Sequence, residues 1–99
     1  MNINRSKLEK LAKDLRKEEP RPAHVKLANF EMAARTLDKC RASLLGIEGE
    51  YRFGCPMDQE FFQEAVINEE DFKAFVATGA SDQEVADWLA QHASPHAAR

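Results

Sequence analysis

The chain has few of the residues that break helices or build sheets. Only four glycines, four prolines and two cysteines occur among its 99 residues, and valine, isoleucine and threonine are few beside alanine, leucine, glutamate and lysine. The four abundant residue types are compatible with helix, whereas β-branched residues favour strands. The composition therefore predicts an all-α fold. The length suits one domain that buries a core without disulfides or structural metals.

Long hydrophobic runs are also missing. The longest uninterrupted apolar stretch covers residues 74–77, far short of the roughly 20 residues of a membrane-spanning helix. The N-terminus lacks the apolar run of a secretory signal. Two cysteines without such a signal are typical of reduced thiols. We therefore expect a cytoplasmic protein that does not enter a membrane.

Catalytic and metal-binding motifs are absent from the sequence. There is no GxGxxG, GxxxxGK[ST], HExxH or GxSxG string, and the two cysteines have no second ligand pair at zinc-binding spacing. We expect no metal and no cofactor. The absences favour a small non-catalytic binding or interaction domain over an enzyme. The alternative is a small-ligand or thiol-dependent site around Arg41 and Cys55.

Charge is distributed unevenly along the chain. Residues 1–26 hold eight Lys or Arg against four Asp or Glu, whereas residues 57–99 hold two against nine. We expect the basic segment to face the acidic half of the same fold, a protein partner or a second copy of the chain. Nucleic-acid binding is not favoured, because no helix combines exposed Arg, Asn and Gln with interleaved aromatics. Its candidate residues would be Arg5, Lys7, Lys10, Lys13, Arg16 and Lys17.

Apolar spacing and capping residues predict about five helices. The first is expected from a cap at Asn4 or Ser6 to about residue 17, and the second over 29–45, with a stop at Gly46. A third is expected over 58–66, just after a proline. The last two should begin at Asn68 and Ser81, because each is followed three residues later by an acid.

These helices predict a single domain over residues 1–99, an orthogonal or irregular bundle whose ends, 1–5 and 94–99, fray. A short extended segment is possible at 50–53, and a β-hairpin across 47–54 would be the main departure from an all-α fold. The expected core consists of Phe30, Leu37, Phe53, Phe61, Phe62, Phe72, Phe75 and Trp88.

Arg41 fits the helical pattern least. At 100° per residue it falls within the apolar stripe of the second helix, between Leu37 and Leu44. A charged group there must be paired or face a cavity, because an unpaired buried charge costs several kcal/mol. The favoured interpretation is a structural link between helix and loop, or a side chain that reaches solvent at the helix end. The alternative is an arginine aimed at an anionic ligand. The candidate partners are Asp38, Glu50 and Asp58.

Cys55 is the candidate reactive thiol, because it precedes a predicted helix N-terminus, where the helix dipole favours an anion. A reactive thiol also needs a cation or base beside it, for which Arg41, Arg52 and His24 are the candidates. Cys40, on the edge of the apolar stripe, is expected to be an inert small hydrophobe. The candidate ligand or thiol site therefore comprises Asp38, Arg41, Glu50, Tyr51, Cys55 and Asp58.

Several strings resemble one protein family. They are Ala34-Arg-Thr-Leu-Asp-Lys-Cys-Arg-Ala42, Gly49-Glu-Tyr-Arg-Phe53, Cys55-Pro-Met-Asp58 and Ser81-Asp-Gln-Glu84. Together they are similar to a family of small bacterial proteins described as a domain of unknown function. The resemblance covers most of residues 14–89. It implies a bacterial, cytoplasmic helical domain and supplies no activity, substrate or catalytic residue.

Overall fold

The computed structural model describes residues 2–93 and contains five α-helices in that range. They are α1 (Arg5–Leu11), α2 (Ala33–Leu45), α3 (Pro56–Ala65), α4 (Glu69–Ala77) and α5 (Asp82–His92). Within residues 2–93 there is no strand, only an isolated bridge between Leu27 and Phe30. The all-α prediction is confirmed. The expected fraying of residues 94–99 and of Met1 lies outside the described residues. Of the other residues expected to fray, Asn4 caps α1 and donates its backbone N–H to Ala77, and Arg5 is the first residue of α1.

The first helix is shorter than its apolar spacing predicts. It begins after a cap at Asn4, as expected, but ends at Leu11. Beyond it, the Asp14 carboxylate accepts hydrogen bonds from the backbone N–H of Arg16 and from its guanidinium, at 3.0 and 2.9 Å. Local bonds of this kind compete with helix formation. Leu15 is buried nonetheless, and its N–H donates to the carbonyl of Ile47.

The second helix begins at Ala33 and not at Asn29. Asn29 and Met32 both have positive φ angles, +68° and +72°. A right-handed helix of L-residues cannot contain such angles. The helix therefore starts only after Met32. It ends at Gly46, whose φ of +75° forms the left-handed cap that was predicted.

The remaining helix starts follow their capping residues closely. Proline occupies the first turn of α3, and Cys55 is its N-cap, slightly earlier than predicted. The Asn68 side chain accepts a hydrogen bond from the backbone of the first turn of α4. Ser81 and Glu84 form the predicted capping box of α5. Local sequence therefore specifies these starts.

The predicted core residues all belong to one apolar cluster. Four of them, Leu37, Phe61, Phe62 and Phe72, are buried. The other four are partly buried and pack against the cluster: Phe30, Phe53, Phe75 and Trp88. The segment 50–53 forms neither a strand nor part of a hairpin.

Helix α2 lies at the centre of the bundle and packs against α1 and α4. Nine of its 13 residues are buried, including the charged residues Asp38, Lys39 and Arg41. Because each buried charge requires compensation, the partners of these three side chains define the polar sites of the molecule. None of the described helices has the length and apolar character needed to cross a membrane.

Candidate functional site

Arg41 lies where α2 meets the beginning of α5. Its side chain is only 3% exposed, and its Nη1 lies 3.0 Å from Asp82 Oδ1. Its Nη2 donates a hydrogen bond of 2.9 Å to the carbonyl oxygen of Ala80. Its Nε is buried and has no hydrogen-bond partner among the described residues. The guanidinium is thus held from one side and retains an unused donor.

Arg21 connects Asp82 to a second carboxylate, that of Asp38. Its Nε and Nη2 donate to Asp38, with the Nη2–Oδ1 bond at 2.9 Å, and its backbone N–H donates to Oδ2 at 2.8 Å. Its Nη1 lies 2.7 Å from Asp82 Oδ2. Two guanidinium groups and two carboxylates therefore alternate in the order Asp38, Arg21, Asp82, Arg41. This network ties the segment before α2, α2 itself and α5 together.

Burial disfavours the charged forms of the side chains in this network, whereas neighbouring opposite charges favour them. For the Asp82 carboxyl, burial alone would raise the pKa, but the hydrogen bond and charge of Arg21 and the charge of Arg41 lower it below its usual range. Burial would lower the pKa of Arg21, yet its bonds to Asp38 and Asp82 raise it overall. For Arg41 burial prevails and lowers the pKa, although Asp82 offsets part of the effect. Arg41 is therefore the least compensated member.

A cleft of about 490 Å³ opens beside the network. We call it the Arg41 cleft. Lys10 and Lys13, at the end of α1 and just after it, line one side, and the start of α5 lines another. Four cationic side chains and two carboxylates lie in its walls, which leaves a net positive charge. The lining residues are Lys10, Leu11, Lys13, Arg21, Asp38, Arg41, Ser81, Asp82 and Gln83.

A second polar cluster surrounds Lys39. The Lys39 Nζ lies 3.0 Å from Asp58 Oδ2 and donates to Cys55 Sγ at 3.2 Å. Asp58, which is fully buried, also accepts hydrogen bonds from Thr36 Oγ1 at 2.7 Å and from the backbone N–H of Gly54 at 2.9 Å. Cys55 itself is partly exposed. This Cys55 cluster places an accessible thiol against a buried ion pair at the N-terminus of α3.

The six candidate site residues lie in three places. Asp38 and Arg41 belong to the Arg41 cleft, and Cys55 and Asp58 belong to the Cys55 cluster. Glu50 and Tyr51 line a third hollow, together with Leu15, Arg16 and Gly49. Among the described residues, no hydrogen bond or ion pair links a residue of one pair to a residue of another pair. The structure thus brings them together two at a time.

The partners expected for Arg41 and Cys55 were wrong. Arg41 is bound by Asp82 and not by Asp38, Glu50 or Asp58, because Arg21 and Lys39 already hold Asp38 and Asp58. The cation beside Cys55 is Lys39, and neither Arg41, Arg52 nor His24 bonds to its sulfur.

Sequence reasoning missed Arg21, Lys39 and Asp82. A weak signal existed for Lys39. Residues 38, 39 and 41 are charged and lie on three different faces of α2, so not all of them can face solvent when the helix is mostly buried. No comparable signal marks Asp82, because its position depends on how α5 packs. Cys40, by contrast, is fully buried as expected, and burial raises the pKa of its thiol.

Comparison with known proteins supplies a family. Between Asn2 and Ala93, no group of three or more His, Cys, Asp or Glu side chains is placed to hold a metal ion. A search of curated protein sequences finds no match. One family model, described as a domain of unknown function (DUF5069), matches residues 17–99. That range contains all six candidate residues and most of the chain, and the chain therefore belongs to the DUF5069 family.

Proposed function

We propose that this DUF5069 chain is a small non-catalytic binding domain and that the Arg41 cleft binds an anionic group. The observation that carries the proposal is the buried guanidinium of Arg41, which lines an open cleft and keeps its Nε–H unpaired. An unpaired buried donor costs about 1–3 kcal/mol, so a ligand that accepts this hydrogen bond gains affinity. The cleft also carries more positive than negative charge.

A purely structural role accounts for only part of the arrangement. Nη1 and Nη2 of Arg41 link α2 to Asp82 and Ala80, as a structural role requires. Such a role gives no function to the unused Nε or to the Lys10 side chain, which makes no hydrogen bond or ion pair with residues 2–93. An anion in the cleft would contact Lys10 directly, and its contact with Nε, which is buried, requires a movement of the Arg41 side chain. This is why we favour ligand binding in addition to the structural role.

The compartment and the partner are part of the same proposal. The free thiols of Cys40 and Cys55 support a reducing cytoplasm as the place of action. A protein partner that inserts an acidic side chain into the cleft, or the acidic half of a second copy, would be the macromolecular form of the ligand. Nucleic acid is not proposed. Light scattering at several salt concentrations tests whether a second copy of the chain is the partner. A monomer under all conditions would contradict that possibility.

Anion binding can be tested by NMR titration. ¹⁵N-labelled protein is titrated with acetate, sulfate or inorganic phosphate at constant ionic strength, with sodium chloride as the reference. We expect shifts of the Ser81, Asp82 and Gln83 amides and of the Arg41 Nε–H resonance. Lys10→Ala should weaken the response, and Lys26→Ala, which changes an exposed lysine outside the cleft, should not. The proposal is wrong if none of the three anions shifts these resonances.

A second candidate function is a thiol-dependent one at Cys55. The specific observation that favours it is the 3.2 Å hydrogen bond from the buried Lys39 ammonium to Cys55 Sγ. A cation in this position stabilises a thiolate, which is the nucleophilic form of cysteine. Cys55 is also accessible, whereas Cys40 is not.

The thiol proposal is tested by the rate of alkylation with iodoacetamide at pH 7, followed by peptide mass mapping. Cys55 should react faster than free glutathione, and Lys39→Met should remove the difference. Cys40 should stay unmodified in the folded chain. A Cys55 that reacts no faster than glutathione contradicts the proposal.

A further inference from the structure

We infer that the anion selected by the Arg41 cleft is the dianion of a small phosphomonoester. The inference rests on the proposed function, because it names the ligand class for the same cleft. Three properties of the cleft support it: the charge of its walls, the number and type of its free donors, and its size.

The charge of the walls matches a doubly charged ligand. Lys10, Lys13, Arg21 and Arg41 supply four positive charges, and Asp38 and Asp82 supply two negative ones. A monocarboxylate would leave an uncompensated positive charge in the cleft, whereas a phosphate dianion would neutralise it.

The carboxylates of Asp38 and Asp82 have no free oxygen that would repel such a ligand. Both oxygens of Asp82 accept hydrogen bonds from Arg21, and Oδ1 also accepts from Arg41. Both oxygens of Asp38 accept from Arg21. The free donors of the cleft therefore belong to its cationic side.

The donors suit a tetrahedral group with several acceptor oxygens. The ammonium groups of Lys10 and Lys13 are compact charges with three rotatable donors each, which suits phosphate. One donor of Lys13 is already used, because its Nζ donates to the carbonyl oxygen of Glu19 at 3.0 Å and lies 3.9 Å from Glu18 Oε1. Arg41 adds its unpaired Nε–H. The Ser81 oxygen accepts from the backbone of Glu84, so its hydroxyl hydrogen stays available for donation. Donor groups at the end of α1, just after it, in α2 and at the N-cap of α5 would thus be offered to three terminal phosphate oxygens.

The size of the cleft leaves room for more than an inorganic ion. Its volume of about 490 Å³ falls within the roughly 300–1,000 Å³ range of small-molecule sites and far exceeds one phosphate group. Leu11 supplies apolar surface in the same wall. The phosphate is therefore expected to carry a small organic group.

Affinity for such a ligand should depend on pH through the ligand alone. The second ionisation of a phosphomonoester lies near pH 6. The charged groups that line the cleft are Lys10 at the end of α1, Lys13 just after it, Arg21 before α2, Asp38 and Arg41 in α2, and Asp82 in α5, and no histidine is among them. Glu18 lies 3.9 Å from Lys13 beside the cleft. The pKa of Asp82 lies below its usual range. Because no histidine lines the cleft, the change in affinity between pH 5 and pH 8 is expected to come from the ligand.

The test compares methyl phosphate with methyl sulfate, which has the same shape but stays a monoanion. Dissociation constants are measured by NMR titration at pH 8 and pH 5 at constant ionic strength. At pH 8 methyl phosphate should bind at least about tenfold more tightly than methyl sulfate. At pH 5, where methyl phosphate is mostly a monoanion, the two should agree within about twofold.

Variants assign the effect to the cleft. Lys10→Ala and Lys13→Ala should each weaken methyl phosphate binding at pH 8 by about fivefold or more, and Lys26→Ala should leave it unchanged. Both cleft lysines are at least partly exposed, and an unchanged amide spectrum confirms that the variants fold. Equal affinity for the two probes at pH 8 overturns the phosphate inference and leaves anion binding intact. If neither methyl phosphate nor methyl sulfate binds, both the phosphate inference and the proposal of anion binding are wrong.

Discussion

Asp82 Oδ1 lies 3.0 Å from Arg41 Nη1, so a buried guanidinium of α2 is held by a carboxylate in the first turn of α5. We predict that Asp82→Asn lowers the free energy of unfolding by about 2 kcal/mol, because it leaves the buried charge of Arg41 without a counter-ion. The value is below that for a fully buried pair, since the Asp82 side chain is 46% exposed. Urea unfolding followed by Trp88 fluorescence measures it.

The matched control for this substitution is Asp87→Asn. Asp87 lies on the same helix and is exposed, and its carboxylate accepts only the side-chain bond of Gln83. Its replacement should change the free energy of unfolding by no more than about 0.5 kcal/mol. Equal effects of the two substitutions would show that the Arg41–Asp82 pair does not stabilise the fold.

The same pair should make stability depend on pH in acid. The pKa of Asp82 would be raised by burial, but Arg21 and Arg41 hold it below the ordinary value of 3.8. A lowered pKa stabilises the folded state above 3.8, and this stabilisation is lost as the pH falls through the folded-state value. The stability difference between wild type and Asp82→Asn should therefore be largest above pH 5 and shrink below pH 3.8.

This prediction is measured by urea unfolding at pH 6, 4 and 3. Asp14 also has a lowered pKa, about 2, and contributes to the acid sensitivity of the wild type. Because both proteins contain Asp14, its contribution cancels in the difference. A difference that stays constant from pH 6 to pH 3 would contradict the prediction.

The fully buried Asp58 should be the most sensitive polar residue. Asp58→Ala removes the acceptor for Lys39, Thr36 and the N–H of Gly54 together. Loss of one partner from a buried ion pair costs about 3–5 kcal/mol, and we expect a loss in that range. Chemical unfolding of the purified variant measures it.

A double-mutant cycle separates the interaction between Lys39 and Asp58 from the cost of burying the two charges. Lys39→Met combined with Asp58→Leu removes both charges and keeps most of the volume. The double variant should be more stable than Asp58→Leu alone, because buried ion pairs are often no better than apolar side chains of similar size. Additive losses in the cycle would show that the two charges act independently.

Local signals allowed parts of the fold to be predicted. Asn68 and Ser81 were identified as helix caps from residues three positions away, and both bond as expected. Gly46 was identified as a stop, and it adopts the left-handed cap. These features depend on short-range chemistry. The errors at the end of α1 and the start of α2 came from an Asp14 turn and from positive φ angles, which apolar spacing does not reveal.

The candidate site shows the same limit. Arg41 was singled out because a charge within an apolar stripe needs an explanation, and it is buried and paired. Its partner could not be predicted, because Asp82 lies 41 residues further along the chain and reaches Arg41 only in the folded structure. Lys39 was missed beside Cys55 for the same reason. Sequence periodicity identifies which residues need partners, whereas tertiary packing decides which partners they find.

Gly49 offers a test of how the loop after α2 is joined to the segment after α1. Its φ is +60°, and a Cβ atom on it would lie 2.6 Å from the carbonyl oxygen of Leu15. Gly49→Ala must therefore adopt a left-handed angle and displace backbone, and we expect it to lower the free energy of unfolding by at least about 2 kcal/mol. Gly46→Ala is the matched control, because its φ is +75° but nothing lies within 4 Å of the added Cβ. It should cost only the conformational strain of about 1 kcal/mol. Urea unfolding of both variants decides the matter: equal losses would mean that the close approach of Gly49 to Leu15 does not contribute to stability.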